Sequence, residues 1–256
     1  MVKQTKKLST VQSTSTVASG EYLVKVDANG KTTRISLNDL KTSILGGMNM
    51  NAIEDGIFIM YHANSNNYPY MVKPHKWTSL QSSGEVAEGV VVVEGGKILV
   101  VAPTETALTW SSAAVSGGAT TTTDRITAMN DWNGKTNTTQ IIAHSTSSAI
   151  TNTSSYAPGY CNLYSRTNAN NQGMTAGKWW LPSLGEMMMI YANMTKINYA
   201  LSLINGADQL QETWYWTSTE YSASHAWNLG LSNGTVNSNT KASNTFRVRA
   251  VSAFLQ

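Results

Sequence analysis

The sequence predicts an α+β protein made of short strands, a few helices and long polar loops. Hairpin patterns occupy much of the first 102 residues, a capped amphipathic helix begins at Ser183, and short strand patterns fill residues 214–254. Charged residues make up only 13% of the chain, about half the usual globular share. Ser, Thr, Asn and Gly replace them, and this uncharged composition favours loop-rich β structure over a helical bundle.

Residues 1–48 predict a small assembly segment. Alternation over residues 22–26, a turn at Asn29-Gly30 and renewed alternation over residues 35–37 are typical of a β-hairpin. Asn38 can cap a short helix that ends at Gly46-Gly47. Because a hairpin and one short helix bury too little surface to fold alone, we expect this segment to assemble with its own copies or with a larger particle.

Strand patterns continue from residue 56 to residue 102. Residues 57–61 and 70–72 predict two strands. Residues 90–93 and 98–102 predict a hairpin around Gly95-Gly96, and both of its arms are almost entirely apolar. Such arms are expected to be buried on both faces.

Helix patterns follow at residues 124–131, 138–144 and 197–204, and the clearest helix begins at Ser183. Glu186, three residues after Ser183, gives the spacing of a capping box. The residues at i, i+3, i+4 and i+7 of this helix form one apolar stripe: Leu184, Met187, Met188 and Tyr191. We expect its methionines to fill the core rather than to bind a ligand.

Two partial motifs fail as signs of nucleotide or calcium binding. Residues 134–136 read GKT, like the end of a P-loop, but Met129 stands where the first glycine is required. A calcium loop beginning at Asp131 would need Glu at residue 142, which is Ile. The four histidines are far apart in sequence and have no ligand spacing around them, so we expect no metal site and no cofactor.

Catalytic residues are equally sparse. Cys161 is the only cysteine, and nothing near it in sequence offers a base that would activate the thiol. Glu212 and Glu220 flank a Trp-rich strand, but a glycosidase needs two converging acids. We therefore expect a protein that is not an enzyme.

Charge and hydropathy exclude two further classes. The net charge is +3 and the basic residues are scattered, so no clustered face for nucleic acid is expected. The apolar run 90–102 is interrupted at residues 94–97 and is too short to span a bilayer, so we expect no membrane insertion. A single cysteine and the absence of an apolar signal core in residues 8–20 indicate folding in a reducing cytoplasm.

An ordered set of motifs fills the C-terminal half of the chain. The motifs are DWNGKTNTTQII (131–142), APGYCNLY (157–164), GKWWLPSLGE (177–186), YWTSTE (215–220), Ala226-Trp227, Asn233-Gly234, Lys241 and RVRAVSAF (247–254). This set resembles the C-type-lectin-like domains of bacterial surface lipoproteins, of the formylglycine-generating enzyme superfamily and of the variable proteins of diversity-generating retroelements. The resemblance covers about residues 120–256 and implies a C-type-lectin-like domain over 49–256.

The resemblance also separates scaffold from variable positions. In the retroelement family, mutagenesis of template adenines converts Asn codons into codons for Tyr, Ser, His, Asp, Thr, Leu or Phe. A variable region at about 214–254 is implied, and its expected ligand-binding residues are Tyr221, Ser222, Ser224, His225, Asn228, Leu231, Asn237, Ser238, Asn239, Asn244 and Phe246. Such a composition suits an adaptable binding surface. The scaffold would comprise the tryptophans together with Arg247 or Arg249 paired to Glu186 or Glu220.

Two departures limit what the resemblance implies. Calcium-dependent sugar binding in C-type lectins uses EPN or QPD with WND, and this chain has only Trp227-Asn228-Leu229. Formylglycine-generating enzymes use two cysteines, and this chain has one. The expected function is therefore that of a phage or prophage tail protein that binds a bacterial surface protein or glycan. We expect it to be made in the bacterial cytoplasm, and the resemblance implies a homotrimer. The alternative is a bacterial surface adhesin of fixed specificity.

Overall fold

The computed structural model describes these parts of the chain: residues 22–26, 30–36, 54–144 and 152–254. The chain divides into two units, residues 1–53 and residues 54–256. The protein is mixed α+β, with mainly antiparallel sheets and short helices.

The first unit contains the predicted hairpin. Strands β1 (Tyr22–Val26) and β2 (Thr32–Ser36) pair antiparallel. Gly30 has φ +76°, a conformation that glycine adopts readily in tight turns. The helix predicted after Asn38 lies outside the described residues.

The second unit begins with a five-stranded antiparallel sheet, the first sheet. Its strands are β3 (Gly56–His62), β4 (Pro69–Val72), β5 (Gly89–Glu94), β6 (Lys97–Val101) and β14 (Val251–Ser252), in the order β14-β6-β5-β3-β4. The β5–β6 hairpin is present as predicted, and residues 90–93 are buried on both faces. A 3₁₀ turn (Pro74–Lys76) and helix α1 (Trp77–Ser82), which the sequence analysis did not predict, follow β4.

Five more helices follow in the described part of the chain. They are α2 (Arg125–Met129), α3 (Gly134–Ala143), α4 (Ala157–Leu163), α5 (Leu184–Ala192) and α6 (Met194–Ser202). The predicted capping box is confirmed, because Ser183 and Glu186 exchange side-chain and main-chain hydrogen bonds. Helices α3 and α6 begin earlier than predicted, and α4 was not predicted.

A second five-stranded sheet carries the C-terminal strand patterns. Its strands are β7 (Thr106–Leu108), β10 (Trp214–Glu220), β11 (His225–Gly230), β12 (Thr235–Thr240) and β13 (Phe246–Val248), in the order β12-β11-β10-β13-β7. Only the β10–β13 pair is parallel. A small hairpin of β8 (Arg166–Thr167) and β9 (Gly173–Met174) completes the described strands.

One apolar core joins both sheets and four helices, and α1 and α2 contribute Trp77 and Ala128 to it. Helix α5 contacts β10 and β11, and α6 contacts β3 and β5. Met187 and Met189 are buried in this core, as expected for methionines that fill gaps. Trp227 and Leu229 enter the core from one face of β11, which leaves the opposite face of the second sheet for other contacts.

Candidate binding surface

The predicted binding residues lie on β11, β12 and β13 of the second sheet and on the connections between its strands. One set, the turn group, lies between β10 and the start of β11: Tyr221, Ser222, Ser224 and His225. A second set lies farther along the chain: Asn228, Leu231, Asn237, Ser238, Asn239, Asn244 and Phe246. Strand register decides which members of the second set share a face.

One face of the second sheet presents amide and aromatic side chains. Trp216, Asn228 and Asn237 are register partners across β10, β11 and β12, so their side chains point to the same face. Phe246 belongs to this face because its ring centroid is 4.6 Å from that of Trp216. Trp214, two residues before Trp216 on β10, and Asn239, two residues after Asn237 on β12, point to the same face. We call this surface the amide–aromatic face, and its members are Trp214, Trp216, Asn228, Asn237, Asn239 and Phe246.

The amide–aromatic face has a buried floor and a partly exposed rim. Trp216 and Asn228 form the floor, since both are 0% exposed. The rim residues are exposed or half-buried: Trp214, Asn237, Asn239 and Phe246. The tryptophans of β10 were predicted as scaffold alone, and their period-two alternation was the signal that places both on this face.

Asn228 supports the rim rather than forming part of it. Its Nδ2 donates to Oδ1 of Asn239 at 3.0 Å. Its Oδ1 is buried and accepts no hydrogen bond from the described residues. An unsatisfied buried acceptor costs about 1–3 kcal/mol, so this position is less stable than a fully paired one. Full burial corrects the expectation that Asn228 itself contacts a ligand.

Other predicted residues lie away from the amide–aromatic face. Leu231 is only 2% exposed and belongs to the apolar core, which makes it a packing residue rather than a contact residue. Ser238 is the register partner of Trp227 and therefore points to the opposite face of β12. Asn244 is half-buried and donates to the main-chain oxygen of Thr240 at 3.1 Å, which fixes the loop before β13.

The turn group is tied together by its own side chains. The Tyr221 ring packs edge-on against Trp227, with 5.1 Å between centroids. Ser224 Oγ is hydrogen-bonded to Nδ1 of His225 at 2.8 Å, and Ser222 Oγ accepts from the His225 main-chain N–H at 3.2 Å. All four side chains are half-buried, so each also presents surface to solvent.

A buried ion pair holds the main chain of the turn group. The Lys241 ammonium contacts the Glu220 carboxylate, and neither side chain has exposed surface. Lys241 Nζ also donates to the main-chain oxygens of Ser222 at 3.1 Å and Ala223 at 2.9 Å. Burial lowers the pKa of Lys241, and the hydrogen bond that its ammonium donates to Glu220 opposes that shift. The sequence analysis placed Lys241 and Glu220 in the scaffold motifs without predicting that they pair.

The 221–246 segment presents no carboxylate, ammonium or guanidinium group at its surface. Between residues 221 and 246 the sole Asp, Glu, Lys or Arg is Lys241, and it is buried. Recognition at this surface therefore depends on aromatic area, amide and hydroxyl hydrogen bonds, and shape. Long-range attraction of a charged partner needs a charged surface, which this segment does not offer.

The last strands are anchored by a different acid from the one expected. Arg249 NH2 pairs with Oε2 of Glu105 at 2.7 Å, and both side chains are buried. Arg247 Nε lies 3.7 Å from Oε1 of the same carboxylate. The expected pairing of these arginines with Glu186 or Glu220 is thus wrong, because Glu105 precedes β7, the strand that neighbours β13 in the second sheet.

The sequence analysis weighed one cysteine and two glutamates as catalytic groups. Cys161 is fully buried, and burial raises the pKa of its thiol well above the usual value, which disfavours the nucleophilic thiolate. Glu220 is the last residue of β10 and Glu212 lies two residues before the strand begins, and the strand alone spans roughly 20 Å at the usual rise per strand residue. That separation exceeds the spacing of paired glycosidase acids.

Two further observations concern metals and membranes. No cluster of three His, Cys, Asp or Glu side chains that could hold a metal ion occurs among the described residues. Within the same ranges, none of the helices has both the length and the apolar character needed to cross a bilayer.

No protein-family model, curated protein or solved structure matches the chain.

Proposed function

We propose that this chain is a non-enzymatic receptor-binding protein whose binding surface comprises the rim of the amide–aromatic face and the turn group. The observation that carries the proposal is the separation of two kinds of residue. Uncharged Tyr, Ser, Asn and Phe side chains lie at the surface, whereas the charged residues Glu220 and Lys241 are buried behind them. Rigid aromatic area with adaptable amides and hydroxyls is the composition that binding surfaces use.

The finer identity that we propose is a C-type-lectin-like variable protein of a diversity-generating retroelement, carried on a phage or prophage tail. The motif resemblance supports this identity, and so does the burial of the motif residues Trp179, Trp180, Trp216 and Trp227. Its partner would be a bacterial surface protein or glycan. Several copies on one particle would strengthen weak single-site binding, and residues 1–48 would provide the assembly segment.

Sequencing the 3′ end of the gene across its source population tests the retroelement origin. We expect changes confined to codons 221–246, with Trp216, Glu220, Trp227 and Gly234 unchanged. Asn237 and Asn239 should vary more often than Asn228, because the rim tolerates replacement and the buried floor does not. A uniform sequence would refute diversification and leave a tail protein or surface adhesin of fixed specificity.

A matched pair of variants tests the surface itself. Asn237→Arg places a long charged side chain on the rim, and Asn205→Arg places one on an exposed loop after α6. Fluorescently labelled protein is applied to a panel of bacterial strains from the source community, and bound protein is measured by flow cytometry. We expect Asn237→Arg alone to abolish staining of the strains that the wild type labels. Equal staining by both variants would place the binding surface elsewhere.

The proposed assembly is a homotrimer. Light scattering after size exclusion at micromolar concentration is expected to give three times the 27.7 kDa chain mass. Removal of residues 1–48 is expected to give a species of one shortened chain rather than three, because these residues form the proposed assembly segment. A monomer at this concentration for the full chain would refute the trimer.

A further inference from the structure

The Lys241 ammonium lies in a shell of oxygen atoms that come from separate segments of the chain. Besides contacting the Glu220 carboxylate, it donates to the main-chain oxygens of Val115 at 2.9 Å, Ser222 at 3.1 Å and Ala223 at 2.9 Å. A carboxylate with main-chain carbonyls is the type of ligand set that proteins offer to hard cations such as Ca²⁺. We call these four oxygen-bearing groups the cation shell.

The cation shell is fixed from its other side. Glu220 Oε2 accepts from the main-chain N–H of Gly117, and Oε1 accepts from that of Ala119, both at 2.8 Å. The ammonium also lies 4.4 Å from the centroid of the Trp110 ring, a cation–π contact. Gly117 and Glu220 are 103 residues apart in sequence, so the shell joins the loop before α2 to the turn group.

An ammonium can satisfy this shell as a metal ion would. It has three N–H donors and a positive charge, and the lysine stem prevents its dissociation from the chain. We propose that Lys241 is the resident cation of the turn group: its ammonium occupies a cation site and keeps residues 221–224 ordered without a free metal ion. This role goes beyond receptor binding, since it concerns the order of the turn whatever the turn binds.

A simple ion pair would behave differently. If Lys241 only neutralised Glu220, packing would tolerate the loss of both charges, because buried ion pairs are often replaced by apolar residues at no cost. In the cation shell, removal of the ammonium also leaves the oxygens of Val115, Ser222 and Ala223 without their donor, and each unpaired buried group is unfavourable. A small cation supplied from solution should therefore restore the turn when the lysine side chain is shortened.

Hydrogen exchange of the full-length Lys241→Ala variant tests this role. The reporters are the amides of Tyr221 and Ser222, which donate to the main-chain oxygen of His225 at 3.0 and 3.1 Å. The amide of Ala102, which donates to the Ala250 oxygen directly beside the paired strands β6 and β14, is the internal control. We expect exchange at the reporters to become faster by on the order of 100-fold, with little change at Ala102.

Added cations distinguish the cation site from general salt effects. Ethylammonium chloride should return reporter exchange towards the wild-type rate. Tetramethylammonium chloride at the same ionic strength should not, because it has no N–H donor. Wild-type exchange should be unchanged by a metal chelator. The same reporter exchange in wild type and variant, equal restoration by the two salts, or chelator-sensitive exchange in the wild type would each overturn the proposal.

A second variant covers the case in which Lys241→Ala does not fold. Lys241→Met fills similar volume without a charge or a donor. We expect faster exchange at Tyr221 and Ser222 with protection kept at Ala102, and no restoration by ethylammonium, because the methionine occupies the site. Unchanged reporter exchange in this variant would show that the ammonium does not order the turn and would overturn the proposal.

Discussion

Glu186 should make the stability of this protein depend on pH near neutrality. Its carboxylate is 6% exposed and accepts from the main-chain N–H of Ser183 at 2.9 Å and from Trp180 Nε1 at 3.1 Å. Burial raises the pKa of Glu186 to about 7, although these hydrogen bonds oppose the rise. The variant Glu186→Gln tests this dependence, because glutamine keeps the size of the side chain and its capping contact but cannot ionise.

The sign and size of the effect follow from the two pKa values. In the unfolded chain the carboxyl titrates near 4.5, so between that value and about 7 the folded chain holds the proton more tightly. The stabilisation from this carboxyl is fully present below the unfolded pKa and is lost as pH rises through the folded one. The difference between the folded and unfolded pKa values of Glu186 corresponds to about 3 kcal/mol of unfolding free energy.

Urea unfolding of wild type and Glu186→Gln from about pH 4 to about pH 8 measures this difference. We expect the stability of the variant relative to the wild type to rise by about 3 kcal/mol across the range. Glu212→Gln, at an exposed carboxylate, is the matched control and should show no such trend. A pH-independent difference between wild type and Glu186→Gln would refute the reasoning.

Three other buried or strained positions give predictions of the same kind. Arg249→Met leaves the buried Glu105 carboxylate without its main partner, so urea titration should show a loss of about 3–5 kcal/mol in unfolding free energy. Gly234→Ala adds a Cβ 2.7 Å from the Tyr191 ring at φ +73°, so the same titration should show a loss of about 1–3 kcal/mol. Cys161 should resist iodoacetamide in the folded chain and react in denaturant, as mass spectrometry would show.

Two control variants separate the causes in these measurements. Arg247→Met removes the 40%-exposed partner of Glu105 and should cost less than about 1 kcal/mol. Gly206 has φ +72° with open space around it, so Gly206→Ala reports the backbone strain without a steric clash. Equal losses within either pair, or rapid labelling of Cys161 in the folded chain, would contradict the corresponding explanation.

Local signals predicted local structure well. The Ser183–Glu186 spacing predicted a capping box, and Gly95-Gly96 predicted a tight turn between buried strands, because both features depend on neighbouring residues alone. Helix α4 was missed although Pro158 lies at its start, where proline is compatible with a helix. Its short length left no apolar period to reveal it.

Long-range pairings could not be predicted in the same way. Lys241 Nζ reaches the oxygen of Val115 across 126 residues, and Arg249 reaches the oxygen of Ala102 across 147. Composition indicated that the 221–246 segment suits an adaptable binding surface, but only strand register separates Asn237 from Ser238 by face. The sequence therefore predicted which segment forms the candidate surface, but not which of its side chains share a face.

The arrangement of charge explains how such a surface could change its residues while the fold persists. The buried Glu220–Lys241 and Glu105–Arg249 pairs connect the ends of different strands of the second sheet. Replacing an exposed side chain such as that of Asn237 breaks neither pair, and substitutions of this kind usually alter stability by less than about 0.5 kcal/mol. Replacing Asn228 disturbs a buried amide and the hydrogen bond to Asn239. Exposed rim residues should therefore tolerate substitution better than the buried floor residues. Substitutions at the rim would change the contacts with a ligand, whereas the unchanged floor residues would keep the sheet stable.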